Sequence, residues 1–361
     1  MVPFAIAIDY SAGLPLIISA GVAMYIASKA LADALVGGRP AMPGRLEVGQ
    51  WLPIAILAIA AVVTHRQPLA MGLIFASSVA CLSLATGAVG FIGVSIIPPS
   101  SRRSWAMLVP AALLTFLAGF RASVSLLNAG ILALQGVCIL LLWNDRADPA
   151  SNPPPIPPAG RGIVFRAAQL LLGLMLAAVG SWFAMHGIDA VSAGSEFAST
   201  GLLTTTLLGP MLVLPIIGTG TELAQRNQSA TAITSHVGVT LFNICGLLPL
   251  VVVTDVIRQL VLQIRAQLVL LTDRPVRITD FIHAAQKAFH MESIVGFPFP
   301  LAVWRVDVVM LIALGLFLLP VAIGKWSISK MQGVGLMLGY ASYLILAIVW
   351  TEYSLRGIPV K

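Results

Sequence analysis

The stretch LPIIGTGTELAQRNQ, residues 214–228, places glycine and threonine beside a carboxylate, Glu222, within an otherwise apolar part of the chain. A charged side chain at the centre of a bilayer costs about 2.5–3.5 kcal/mol on insertion scales. The hydroxyls of Thr219 and Thr221 and the carboxylate of Glu222 are oxygen groups of the kind that hard cations bind. The first hypothesis is therefore an ion-binding or proton-binding site around Glu222.

A second interpretation of Glu222 is structural. Arg226 follows it by four residues, and a glutamate that precedes an arginine at this spacing forms a favourable pair on a helix. Glu222 would then lie at the end of a helix, at the membrane interface. The sequence leaves both interpretations open.

Further polar candidates lie on the neighbouring apolar segments. His236, Thr240 and Asn243 occur in SHVGVTLFN, and Ser77 and Ser78 occur in MGLIFASSVAC. A histidine can relay protons because it titrates near neutrality, whereas hydroxyls and amides offer oxygen ligands. The alternative is that these groups form hydrogen bonds between helices. No pairing of nucleophile and base is visible, so an enzyme is not predicted.

The composition defines the class of protein. The 361 residues are 58% hydrophobic and only 10% charged, whereas a soluble domain carries roughly 25% charged residues. We predict an all-α polytopic protein, integral to the plasma (inner) membrane. The net charge of +7 fits loops that face anionic lipid, not nucleic acid. The expected partners are the lipid bilayer and small inorganic cations, with no cofactor.

The hydrophobic runs predict about ten spans, since a crossing helix needs about 20 apolar residues. The spans are 12–36, 48–65, 69–93, 105–121, 124–143, 163–187, 200–224, 230–254, 303–324 and 332–352. A proline-rich linker, 144–162, separates a first half, 1–143, from a second half, 163–361. Five spans in each half predict an inverted repeat.

Residues 255–302 interrupt the second half. Gln259, Gln263 and Gln267 recur every four residues among Leu and Val, which is typical of an amphipathic helix lying at the membrane interface. If this insertion is interfacial, the remaining loop charges favour an N-terminus outside.

The motifs of the second half resemble the sodium/calcium exchanger (cation/calcium antiporter) superfamily, whose signatures have the forms GTSLPEL and GNVVGSNIFN. GTGTEL is one residue shorter than the first signature and lacks its proline, and His236 replaces the usual asparagine of the second. The resemblance implies ten helices in two inverted halves. It also implies a mid-membrane ion site at the signatures, with Glu222 as the metal ligand.

The first half departs further from this pattern. In GQWLPI, residues 49–54, Ile54 stands where the carboxylate is expected, and Leu73 stands where an asparagine is expected. Calcium takes about 6–8 oxygen ligands, usually including carboxylates. A single carboxylate better suits a monovalent ion or a proton.

The sequence therefore predicts cation antiport, with Na⁺, H⁺ or Ca²⁺ as the transported cation. The alternative is an exchanger-fold protein that no longer transports and serves as a membrane scaffold, with 255–302 as its interaction surface. The predicted site consists of Glu222, Thr219, Thr221, His236, Thr240, Asn243, Ser77 and Ser78.

Overall fold

The protein is an all-α polytopic membrane protein, as the composition predicts. The computed structural model describes residues 2–36, 45–95, 102, 105–144, 162–193, 200–270 and 296–355. In these residues, seven helices are long and apolar enough to cross a membrane, and three shorter apolar helices accompany them. Together they occupy the ten predicted spans.

The described residues of the first half include six named helices. The span Gln67–Ile92 is continuous, because a π-helical turn, Cys81–Ala85, joins α3 to α4. The helices are α1 Val2–Val36, α2 Arg45–Val63, α3 Gln67–Ala80, α4 Thr86–Ile92, α5 Leu108–Ala118 and α6 Leu126–Asn144.

The described residues of the second half include seven helices, three of them preceded by π-helical turns. These turns are Thr204–Leu208, Asn243–Leu247 and Val303–Val308. The helices are α7 Ile163–Ala193, α8 Thr200–Leu203, α9 Gly209–Gln225, α10 Ser229–Phe242, α11 Leu248–Leu270, α12 Val309–Ala322 and α13 Lys330–Leu355. Two short strands, β1 Ser123–Val124 and β2 Phe297–Pro298, pair antiparallel.

The long helices α1 and α7 pack along each other, outside the central helices. Glycines at every seventh residue of α7 leave room for large side chains of α1. Small residues allow such close approach between membrane helices. The facing pairs are Gly173 with Leu31, Gly180 with Met24 and Gly187 with Ile17.

The hairpins α2–α3 and α9–α10 have the same local geometry. Their turns contain His65 with φ 65° and Asn227 with φ 61°. A hydrogen bond of 2.7 Å from Arg66 N to Ala61 O in the first matches one of 2.8 Å from Gln228 N to Leu223 O in the second. Beyond the turns, α3 and α10 are each 14 residues long and lead into π turns of 5 residues.

This shared geometry corrects the register that the first-half motif suggested. When the turns are superposed, Pro53 corresponds to Pro215 and the position of Glu222 corresponds to Ala60, not to Ile54. Ile54 is instead a buried core residue, 1% exposed. The comparison of GQWLPI with GTGTEL was wrong by several residues. It compared residue types alone, whereas the turn between the two helices of each hairpin fixes the register.

The two turns lie on opposite faces of the molecule. We call the face that holds the turn Thr64–Arg66 face A, and the face that holds the turn Arg226–Gln228 face B. The strand pair β1–β2 lies on face A, because α5 ends there, before β1, and α6 begins there, after β1. The span that contains α12 also begins there, after β2. An isolated bridge between Ser95 and Ile328 lies on face B.

Residues 255–270 differ from the sequence prediction of a separate interfacial helix. They continue α11 without a break to Leu270. Asp255 is 1% exposed and accepts hydrogen bonds from Gln67 at 3.2 Å, Arg258 at 2.7 Å and Gln259 at 2.8 Å. These contacts fix the helix to the start of α3 on face A. The rest of the predicted insertion, 271–295, and the linker at 145–161 lie outside the described residues.

We predict that Arg258→Ala lowers thermal stability far more than Arg226→Ala. The first variant leaves Asp255 without its guanidinium, and breaking a buried pair costs about 3–5 kcal/mol. The second removes an ion pair in which both side chains are 60% exposed, and such pairs contribute about 0–1 kcal/mol. Unfolding temperatures of the purified protein in detergent test this. Equal, small decreases would contradict the buried pair.

Candidate functional site

A buried polar cluster joins α3 to the π turn after α10. The Asn243 amide donates hydrogen bonds to the Ser77 hydroxyl at 3.1 Å and the Ser78 hydroxyl at 3.2 Å. All three side chains are fully buried, and Ser78 also donates to the Ile74 carbonyl at 2.6 Å. We call Ser77, Ser78 and Asn243 the amide–serine cluster.

One hydrogen-bond acceptor of the cluster has no donor among the described residues. Within the described part of the chain, no hydrogen-bond donor reaches the buried Oδ1 of Asn243. Buried polar groups are nearly always hydrogen-bonded, because leaving one without a partner costs about 1–3 kcal/mol. A buried carbonyl oxygen next to two hydroxyls is therefore a place where a ligand would be stabilised.

The structural repeat contributes to this cluster from both halves. In the shared register, Ser78 corresponds to Thr240, and Cys81, which begins the first π turn, corresponds to Asn243. Thr240 is fully buried and donates to the His236 carbonyl at 3.1 Å. The hydroxyls of Ser78 and Thr240 thus lie at equivalent positions in the two halves, on two spans that contact each other.

His236 forms a second polar contact, closer to face B. Its Nδ1 lies 3.3 Å from the Thr86 hydroxyl, which donates to the Cys81 carbonyl in the π turn at 3.1 Å. Seven residues separate His236 from Asn243, which is about 10 Å along a helix. His236 therefore neighbours the amide–serine cluster without belonging to it. Its ring packs against Gly220, where an added Cβ would lie 2.7 Å from Nε2.

Glu222 does not lie at mid-membrane. It pairs with Arg226 at 2.6 Å, and its side chain is 60% exposed. It follows Gly220 by two residues, which turns it about 200° around the helix, away from His236. The predicted mid-membrane position is thus corrected to the alternative interpretation, an ion pair at the end of α9 on face B.

The threonines of the signature bond to their own helix. Thr219 donates to the Pro215 carbonyl at 2.8 Å, and Thr221 donates to the Gly218 carbonyl at 2.9 Å. Both are half-buried. Of the predicted residues, the structure therefore brings together Ser77, Ser78 and Asn243, places Thr240 and His236 further along the same span as Asn243, and leaves the signature residues of α9 apart.

The polar centre is uncharged. The described residues contain no group of three or more His, Cys, Asp or Glu side chains that could hold a metal ion. The amide–serine cluster provides hydroxyl and amide oxygens as possible ligands. Glu222, the carboxylate of the predicted site, does not belong to it.

The sequence analysis missed another buried carboxyl group. Asp307 is 3% exposed and accepts a hydrogen bond from the Tyr343 hydroxyl at 2.8 Å. It is the acidic residue of the run LAVWRVDVVML, residues 301–311, in which Arg305 is the other charged residue. The argument applied to Glu222, that a carboxylate in an apolar run is costly, would have identified it.

Ten spans, repeated helical hairpins and a polar centre where π-interrupted helices meet define a class of membrane protein built from two related halves. No protein-family model matches the chain, and no curated protein matches it. Solved structures do. The H⁺/Ca²⁺ exchanger CAX matches at a TM-score of 0.67, with 12% identity over 96% of this chain and 91% of that one.

The sodium-calcium exchanger NCX_Mj also matches. Its structure soaked with zero Na⁺ and Ca²⁺ gives a TM-score of 0.57, with 16% identity over 94% of this chain and 98% of that one. A second structure, soaked with 10 mM Na⁺ and 10 mM Sr²⁺, gives 0.55, with 17% identity over 97% and 99%. The chain therefore has the fold of the cation/calcium exchangers, as the motifs predict.

We predict that Gly220→Ala destabilises the protein, because the new methyl group would overlap the His236 ring. Overpacking of this kind costs about 1–3 kcal/mol. Gly218→Ala is the matched control on the same helix, since its Cβ would meet only the Tyr25 hydroxyl at 3.5 Å. Thermal unfolding in detergent measures both variants. A Gly220→Ala protein as stable as the control would show that His236 is not held against α9.

Proposed function

We propose that the protein is a cation antiporter of the plasma (inner) membrane whose substrate site is the amide–serine cluster. The observation that carries the proposal is the buried Asn243 Oδ1, which lacks a donor among the described residues. A cation bound there would gain this oxygen and the lone pairs of Ser77 and Ser78. Thr240 lies about one helical turn from Asn243.

The chemistry of the ligands favours a monovalent cation. Calcium sites usually contain several carboxylates among about 6–8 oxygens, and this cluster contains none. Na⁺ needs fewer ligands and less compensating charge, so neutral oxygens suffice. The calcium named for the solved neighbours is therefore not carried over to this chain.

The π turns within the spans are consistent with exchange. A π turn leaves backbone carbonyls outside the regular helical pattern and is frequent at functional sites. Here, two such turns begin at Cys81 and Asn243, beside the cluster. In transporters built from repeats, one helix group moves against the other around a fixed site. We infer that α1 and α7 move together, since they pack along each other, and that cation and counter-ion compete for one site.

A second candidate function also has a specific observation in its favour. Neither hairpin delivers a carboxylate to the centre: Glu222 is exposed and the equivalent position is Ala60. An exchanger fold without this charge fits a protein that no longer transports and serves as a membrane scaffold. Absence of cation-dependent flux and of calorimetric cation binding, together with co-purification of one defined partner, would favour this candidate.

Flux measurements in proteoliposomes test the substrate site. Asn243→Leu removes the free oxygen, and Ser78→Ala removes a hydroxyl, so we expect Na⁺-dependent exchange to fall about tenfold or more, equivalent to about 1.4 kcal/mol. Ser181→Ala is the matched control, because Ser181 is equally buried but donates to Ala177 on α7 at 2.7 Å. Full exchange in both cluster variants would exclude this site.

We predict that Glu222→Gln retains exchange close to that of the unmodified protein. Its carboxylate pairs with Arg226 at the surface, so its charge contributes little to a buried site. The same flux assay measures it alongside Asn243→Leu. A tenfold loss in Glu222→Gln, with normal exchange in Asn243→Leu, would reverse the assignment and restore Glu222 as the ion ligand.

A further inference from the structure

Asp307 lies within the ninth span and takes no part in the proposed cation site. It belongs to the π turn Val303–Val308. Four residues separate it from Val303, where this span begins on face A, so it lies about 6 Å inside that end of the helix. Its side chain is 3% exposed. The carboxyl group is therefore surrounded by protein.

A comparison with Asp255 shows what Asp307 lacks. Both carboxyl groups are buried, but Asp255 has the guanidinium of Arg258 at 2.7 Å. None of the ion pairs formed between described residues includes Asp307. The nearest basic residue in sequence, Arg305, is exposed and lies over the Trp350 ring, 5.3 Å from its centroid. A fixed negative charge at Asp307 thus has no cationic partner in the described structure.

The titratable side chains around Asp307 are the tyrosines Tyr340 and Tyr343. Its π turn packs against α3, α5, α12 and α13. The first three of these helices carry no acidic or basic residue. From α13, Tyr343 donates to Asp307 Oδ1 at 2.8 Å. The Tyr340 ring is tilted against the Tyr343 ring, with 5.7 Å between their centroids, and its buried hydroxyl has no partner among the described residues.

We propose that Asp307 is a proton-binding site, at which the carboxylate takes up a proton from face A and releases it again. The proton adds to a carboxylate oxygen and cancels its negative charge, so the step needs no other reactant. A buried carboxylate without a counter-charge is disfavoured, because it has lost its hydration and gains no compensating attraction. Proton binding removes that cost, whereas at Asp255 the arginine already does so.

Tyr343 connects this carboxyl group to a second span. It donates to Asp307, and its helix α13 packs against the π turn Thr204–Leu208. This turn leads into α9. A change of charge at Asp307 therefore acts on the helix that packs against His236. Proton binding itself is independent of the cation exchange proposed above, and only its coupling to exchange depends on it.

Infrared difference spectroscopy of the purified protein in detergent tests the proposal. The C=O stretch of a protonated carboxyl group is distinct from the bands of a carboxylate, so spectra in mildly acidic and mildly alkaline buffer reveal proton uptake. We expect a carboxyl band that is lost in Asp307→Asn and retained in Asp255→Asn. Subtracting the variant spectrum from that of the unmodified protein removes exposed groups such as Glu222. An undiminished band in Asp307→Asn would overturn the proposal.

A second variant decides the matter if Asp307→Asn does not fold. Tyr343→Phe keeps the carboxyl group but removes its hydrogen-bond partner, so the same band should remain and shift in frequency. An unshifted band would overturn its assignment to Asp307. The measurement needs no transport: Asn243→Leu should keep the band while it loses exchange, which separates failure of this inference from failure of the proposed antiport.

Discussion

Polar groups buried among apolar helices must bond to one another, and this constraint governs the centre of the molecule. In the span Gln67–Ile92, 94% of the most apolar stretch of 18 residues is buried. The hydroxyls of this span are therefore shielded from solvent. Ser77 and Ser78 bond to Ile74 and to the amide of Asn243 instead. Because each of these bonds joins two spans or closes a turn, the arrangement of α3 against α10 depends on them.

The same constraint explains why the functional candidates occur at irregular turns. A π turn interrupts the regular ladder of a helix, and side chains or ligands then bond to the carbonyls that it frees. Asn243, Cys81 and Asp307 all belong to such turns. The centre of the protein is thus a set of partly satisfied polar groups held by well-packed helices, which suits the binding and release of a small ion.

The carboxyl groups at the surface and in the interior of the protein have different partners. Glu222 and Arg226 form a pair at a helix end, where both side chains are exposed. Asp255 is buried and needs Arg258, Gln67 and Gln259 around it. Asp307 is buried beside a phenol. The three carboxyl groups therefore differ in the compensation that their surroundings supply, and this difference separates an interfacial pair, a structural pair and the proton site that we propose.

The sequence by itself determined the number of spans and the segments that carry polar groups. Hydropathy depends only on length and composition, so it needs no knowledge of packing. Even the resemblance to exchangers, drawn from GTGTEL and SHVGVTLFN, gave the correct fold. Only the tertiary structure decided which polar groups meet. Two residues along a helix turn a side chain by about 200°, which takes Glu222 away from the centre while Gly220 faces His236. The bonds of Asp307 to Tyr343 and of Ser77 to Asn243 join residues far apart in the chain, and a local pattern carries no information about such contacts.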